Sequence, residues 1–195
     1  MKIFRMVRYN SPVVLTFALI SLFALILGDL TGGKTTALLF CVYRSPLLSP
    51  LTYVRLFTHV LGHASFEHYL NNILLMLIVG PPLEEKYGSR ALISAIIITA
   101  FISGLVQFVF FPGTALLGAS GIVFMMIVMS SLAGFKEGSV PLTLILVVIF
   151  YLGGEIKAGI TSTDNVSQIT HVIGGICGAV IGFVLSKKRL RGNIL

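Results

Sequence analysis

The chain has 195 residues, 56% of them hydrophobic and 11% charged, with a mean hydropathy of +0.99. A soluble domain is about half apolar and about a quarter charged, so this composition excludes a soluble globular protein and predicts an integral membrane protein, a single membrane domain over residues 1–195. The formal net charge of +7 would suggest nucleic acid in a soluble protein, but here the basic residues gather at the two termini, where they report membrane orientation and no nucleic-acid partner is expected.

In chain order, Lys2, Arg5 and Arg8 precede an apolar run over 12–27. The run is long for a signal-peptide core and no A-x-A site follows, so it is read as a retained first span, 11–30. The longest connection is 31–66, and it carries Leu47, Leu48, Leu51, Tyr53, Leu56 and Phe57. A loop this apolar is expected to lie in the membrane interface. Five further spans are predicted at 67–82, 91–111, 119–134, 140–154 and 167–186, the second, fourth and fifth of the six being short. The breaks between them are Pro81-Pro82, Pro112-Gly113, the stretch Gly134 to Gly138, and Gly153-Gly154. The predicted fold is therefore all-α, a polytopic bundle of six transmembrane helices.

Six spans put both termini on one side. Of the 14 Lys and Arg residues, ten then fall on the side of the termini and four, Lys34, Arg44, Arg55 and Lys157, on the other. This bias predicts cytoplasmic termini. Cys41 and Cys177 form no disulfide framework, and no internal repeat supports a transporter built from inverted halves.

With this topology the second, fourth and sixth spans run in the same direction. His68 and Asn72, Ser120, and His171 then sit in their first turns, at one level roughly 3–10 Å below the outer surface at 1.5 Å per residue. His68 and Asn72 are four apart and share a helix face. His171, Gly174, Gly178 and Gly182 form a stripe on the sixth span, and Gly118 and Gly121 flank Ser120. Such small residues let helices approach closely, which would bring Ser120 and His171 within hydrogen-bond reach.

Taken singly, each feature has a plain alternative. Ser120 could bond a backbone carbonyl, the glycine stripe could serve packing alone, and His68 could be a structural histidine. Packing does not, however, require a nucleophile, a base and two donors at one depth. Ser120 as nucleophile with His171 as base reads as a dyad, since no acidic residue lies within a span at that depth. The oxyanion would find donors in the Ser120 N–H, at a helix start, and in His68 and Asn72. Metal chemistry would call for H-E-x-x-H or H-x-x-E-H. The stretch from His63 to Glu67-His68 is one residue too long for the latter, and His59, His63 and His68 remain only a minor alternative as ligands. No metal or other cofactor is expected.

At these residues the chain resembles the rhomboid family of intramembrane serine proteases, from about Val54 to Leu185. The family's G-x-S-G is Gly118-Ala119-Ser120-Gly121, its H-x-x-x-N runs from His68 to Asn72, and its H-x-x-G-x-x-x-G runs from His171 through Gly174 to Gly178. Arg55-Leu56-Phe57-Thr58-His59 with His63 looks like the family's first loop, and Glu84 with Gly88-Ser89 looks like its cytoplasmic end of the second helix. The resemblance implies Ser120 as nucleophile, His171 as general base, and His68 and Asn72 as oxyanion donors; Gly118, beside them in the sequence motif, is a further candidate for stabilising the oxyanion. It implies a minimal six-helix bacterial form, in the bacterial inner membrane, acting on transmembrane substrates. Two positions depart from the pattern: Val54 replaces a common Trp, and Phe124 replaces a Tyr that packs on the catalytic His. The competing functions are an inactive rhomboid-like protein that binds clients, and a small transporter.

Overall fold

The computed structural model describes residues 9–134, 139–140, 142–147, 149 and 166–192. Its regular elements are helices: α1 (Pro12–Leu30), α2 (Lys34–Leu39), α3 (Pro50–Thr58), α4 (Phe66–Tyr87), α5 (Ser89–Phe110), α6 (Ser120–Ser131), α7 (Leu142–Val147) and α8 (Val166–Gly192). One isolated antiparallel bridge, Val42 with Leu116, is the only β-type pairing among the described residues. The first and third predicted spans correspond to α1 and α5. The fifth, 140–154, is represented only by α7. Most of the rest of it, including Gly153-Gly154, lies outside the described residues, as do the basic residues Lys136 and Lys157.

Among the described residues, three helices are long and apolar enough to cross a bilayer: Pro12–Leu30, Ser89–Phe110 and Gln168–Lys188. The other predicted spans differ for physical reasons. α4 is 22 residues long, about 33 Å at 1.5 Å per residue, but His68, Asn71, Asn72, Glu84 and Glu85 dilute its apolar character. It also does not break at Pro81-Pro82, as the sequence suggests. Both prolines lie inside the helix, which continues to Tyr87 and ends at Gly88, φ +83°. A proline forfeits the bond to the carbonyl four residues back, yet Leu83 and Glu84 beyond the pair are buried and tertiary contacts hold the last turn in place.

α6 has 12 residues, about 18 Å, and is too short to cross about 30 Å of hydrocarbon. It is buried nearly all round, from Gly121 to Met126 and again at Val128, Met129 and Ser131, as expected of a helix without a polar face. It is the central post of the bundle, packed most extensively on α8 and next on α4. Its first residue, Ser120, is half-buried. α8 runs to Gly192, beyond the predicted end at 186.

The connection 31–66 is not an open loop. It holds α2, α3 and a 3₁₀ turn at His59–Leu61, and a buried cation organises it. Arg55 donates to Tyr43 Oη (2.9 Å) and Ser45 Oγ (2.9 Å), with its guanidinium 4.4 Å from the Tyr43 ring centroid, and Thr58 Oγ1 donates to the Leu39 carbonyl. Leu56 turns inward with Val42, Phe108 and Leu116, while Leu48 is 98% exposed, so the apolar side chains of this segment divide between its own core and its outer face. Val54 is on that outer face, 42% exposed.

At the far end, Glu84 is buried and supplies the cap that α1 lacks. Ser11 makes no side-chain capping bond. Instead the Glu84 carboxylate accepts from the N–H groups of Val13 (3.0 Å) and Val14 (3.2 Å) and from Ser89 Oγ (2.7 Å). A carboxylate at a helix N-terminus meets unpaired donors and the positive end of the dipole.

Candidate active site

The chain enters α6 through a stretch fixed from several sides. Leu116 pairs with Val42 through two 2.9 Å bonds, and the Gly118 N–H donates to the His59 carbonyl at 3.0 Å. Gln107 of α5 donates to Thr114 O (3.1 Å) and Thr114 Oγ1 (3.0 Å). Gly118 has φ +124°, a conformation that costs other residues strain. A Cβ there would also lie 2.8 Å from both Cε1 and Nε2 of His68 and 3.9 Å from Asn72 Nδ2. Glycine at 118 therefore serves twice, in the turn itself and in letting the His68 imidazole and Asn72 amide close over the backbone just ahead of Ser120.

α4 aims those two side chains. Ser65 is its N-cap and accepts from the His68 N–H at 3.1 Å, which fixes the first turn. Asn72 follows one turn later, buried, and its Nδ2 has no hydrogen-bond partner. His63 stands edge-on to the His68 ring at 5.1 Å and to Tyr69 at 5.5 Å between centroids, and Tyr69 Oη donates to Ala18 O of α1 at 3.2 Å.

The glycine stripe of α8 meets α6 backbone to backbone. A Cβ at Gly174 would overlap the Gly121 carbonyl, and one at Gly178 would lie 3.0 Å from Met125 Cα. Gly121 in turn lies against Thr170, where a Cβ would be 3.0 Å from Cγ2. At Gly182 the nearest atom would be the Leu132 Cδ1, at 3.0 Å, and the spacing relaxes. Ser120 and His171 thus stand beside the closest glycine-mediated helix contact among the described residues. The His171 ring stacks on Phe124, centroids 4.3 Å apart and planes 7° apart. Phe124 is one turn beyond Ser120, so the stack sets His171 against the face of α6 that Ser120 begins. The ring at 124 packs on the histidine without a hydroxyl, as the resemblance implied.

Ser120 is the first residue of α6, after an N-cap, Ala119, that makes no side-chain cap bond. The amides of the first turn have no intrahelical acceptors and carry the positive end of the helix dipole. The histidines behind the site are held neutral. Burial lowers His59 to about 4, and burial with the nearby His68 lowers His63 to about 4. His59 is turned away from His63 and His68: its Nδ1 meets Arg55 O (3.1 Å) and its Nε2 meets Ser103 Oγ (3.3 Å). Among the described residues no three His, Cys, Asp or Glu side chains converge as a metal site would need.

His68 and Asn72 thus close on Gly118, next but one to Ser120, and His171 stacks on Phe124 one turn beyond it, in a bundle of apolar helices. A family model, the Rhomboid domain, matches residues 50–188. Over 143 residues the chain is 30% identical to Rhomboid-related protein 1 of Caenorhabditis elegans, covering 67% of this chain and 39% of that protein. It is 28% identical to Rhomboid-related protein 2 of Mus musculus over 162 residues, 71% of this chain and 53% of that one. It is 32% identical to Rhomboid protease GlpG of Salmonella newport (strain SL254) over 132 residues, 67% and 48% respectively. The chain belongs to the rhomboid family and is an integral membrane protein. It spans about half the length of the curated relatives it matches.

Three roles escaped the sequence reading. Ser65 could have been found as a cap, a serine three residues before His68 at the start of an apolar run. The His59 carbonyl that holds Gly118 is a backbone group and leaves no sequence signal. Glu84 marked the end of a helix but gave no sign of which distant helix it caps.

Proposed function

We propose that this protein is an intramembrane serine endopeptidase that cuts transmembrane, single-pass substrates near the outer membrane face. Ser120 Oγ attacks the scissile carbonyl and passes its proton to His171. The negative charge on the carbonyl oxygen is met by the Ser120 N–H, His68 and Asn72, donors aimed into a site of low dielectric. Collapse expels the amine, which takes the proton from His171, and water then hydrolyses the acyl-enzyme. The Gly118 N–H is already given to His59, so Gly118 serves as the opening through which His68 reaches the site. The observation that carries this reading is the stack of His171 on Phe124, one turn from Ser120, with His68 and Asn72 closing on Gly118 from the other side.

The bundle is read with six spans and both termini cytoplasmic, in a bacterial inner membrane. Substrates approach laterally past the fifth span. The test is labelling with a serine-directed fluorophosphonate in detergent. A protease should be labelled at Ser120 and lose the label in Ser120→Ala and in His171→Ala. An unlabelled wild-type protein that still binds transmembrane peptides would instead be a client-binding relative without catalysis.

A further inference from the structure

The end of the bundle opposite Ser120 carries two adjoining cavities. One is a groove of about 390 Å³ between α1 and α5, lined by Val13, Thr16, Phe17, Ile20, Ile93 and Ile97 among others. The second, about 510 Å³, is polar and is lined by Asn10, Ser11, Glu84, Glu85 and Ser89 among others. Pro12 and Ser89 belong to both, so the two are continuous. The groove lies within α1 and α5, two of the helices apolar enough to cross a membrane. An apolar cavity stays dry, so a groove lined in this way on two such helices suits an acyl chain.

The polar end determines which headgroup follows the chain. Glu84 is committed to Val13, Val14 and Ser89, which leaves Glu85, exposed, as the carboxylate of the rim. Arg90 is exposed and lies three and seven residues before Ile93 and Ile97, on the stripe that lines the groove. Lys86 points elsewhere, over the Tyr87 ring at 5.4 Å, and Tyr87 is bonded to Ser186 of α8. Among the described residues, the rim therefore offers Arg90 on the helix face that lines the groove and Glu85 at the polar cavity. Tyr9 is bonded through its hydroxyl at 2.9 Å to Thr16, which lines the groove.

We infer that this groove and cavity form a binding site for an aminophospholipid of the phosphatidylethanolamine class, with one acyl chain between α1 and α5, the phosphate at Arg90 and the ammonium at Glu85. An anionic lipid without an amine would set its headgroup against Glu85. A trimethylated amine would lose the N–H donors that a carboxylate accepts from.

Native mass spectrometry of the detergent-purified full chain tests this directly, with phosphatidylethanolamine, phosphatidylcholine and phosphatidylglycerol of identical acyl chains. Wild type should retain phosphatidylethanolamine about five-fold better than phosphatidylcholine, the upper end of what one exposed ion pair yields. Glu85→Gln should erase that preference, Arg90→Gln should weaken retention of all three lipids, and Ile93→Trp should displace them by filling the groove. Equal retention of the three by wild type, a preference for phosphatidylglycerol, or a preference that survives Glu85→Gln would overturn the assignment. Glu85 and Arg90 are exposed, so these two variants should match the wild-type melting profile, and the readout requires no proteolytic activity.

Discussion

Gly174→Ala tests the link between helix packing and catalysis at its tightest point. The added Cβ would overlap the Gly121 carbonyl oxygen and sit 2.9 Å from its carbon and 3.1 Å from its Cα. These are backbone atoms and cannot rotate aside, so α6 and α8 must part by about 1 Å to restore ordinary contact. Overpacking of this kind costs about 1–3 kcal/mol of stability. The larger effect falls on the chemistry, because the displacement occurs between Ser120 and His171. A misplacement of about 1 Å costs a reaction on the order of 100-fold, so kcat on a transmembrane reporter substrate should fall about that much, and fluorophosphonate labelling of Ser120 should slow with it. Gly182→Ala on the same stripe is the control. Its Cβ would meet a Leu132 methyl at 3.0 Å, the end of a flexible side chain, and activity should stay within about two- to three-fold of wild type. Wild-type kcat in folded Gly174→Ala, or equal losses in both variants, would refute the idea that this contact sets the distance between nucleophile and base.

Ser120→Ala and His171→Ala should each abolish turnover, and the double variant should be no worse than either, because the pair acts as a unit; turnover by purified Ser120→Ala would remove the nucleophile assignment. His68→Ala and Asn72→Ala should each lower kcat by about 100–1,000-fold while leaving KM nearly unchanged, as for loss of an oxyanion donor, and steady-state kinetics separates the two parameters. His59 is neutral in the fold, with its pKa lowered by burial from 6.5 to about 4. The unfolded chain binds its proton first, so the stability present above about 6.5 should fall by up to about 3 kcal/mol as pH drops from 6.5 to 4; His59→Asn should flatten that part of a pH–melting profile, and an unchanged slope would contradict the shift. Glu84→Ala should lower the melting temperature by removing the acceptor of two α1 amides and the Ser89 hydroxyl, a loss of about 2–4 kcal/mol; an unaltered melt would show that α1 is held by packing alone.

Much of the site was legible in the sequence because its parts are local and chemically distinctive. The spacing from His68 to Asn72, the glycines around Ser120 and the stripe on α8 each follow from helical periodicity, and the contacts at Gly118, Gly121 and Gly174 lie where that periodicity puts them. The stack of Phe124 on His171 followed from resemblance, since no spacing rule joins residues 47 positions apart. Hydropathy failed where tertiary contacts replace lipid. α4 continues through Pro81-Pro82 because its far end is pinned by Glu84, and α6 is only 12 residues long because protein, not bilayer, surrounds it. The seat of Arg55 was not legible in the first loop, because Tyr43 and Ser45, more than nine residues back, bury it by contacts that no local spacing announces.

The shortness of α6 and the closeness of α8 solve two parts of one problem. On the proposed function, hydrolysis needs water and oxyanion donors at the reacting atoms, and an uninterrupted transmembrane helix offers neither. A central helix that begins inside the bundle places its unpaired amides there, and the irregular chain leading to it is tolerated because Val42, His59 and Gln107 satisfy its backbone and side-chain groups. The nucleophile must then meet a base from a neighbouring helix, and ordinary interaxial distances of about 8–10 Å would hold a serine, with its short side chain, out of reach. Glycines at 121, 174 and 178 close that gap. A protease built this way positions its nucleophile and base by helix separation rather than by a rigid sheet. Gly174→Ala should therefore impair catalysis by more than its loss of stability would predict.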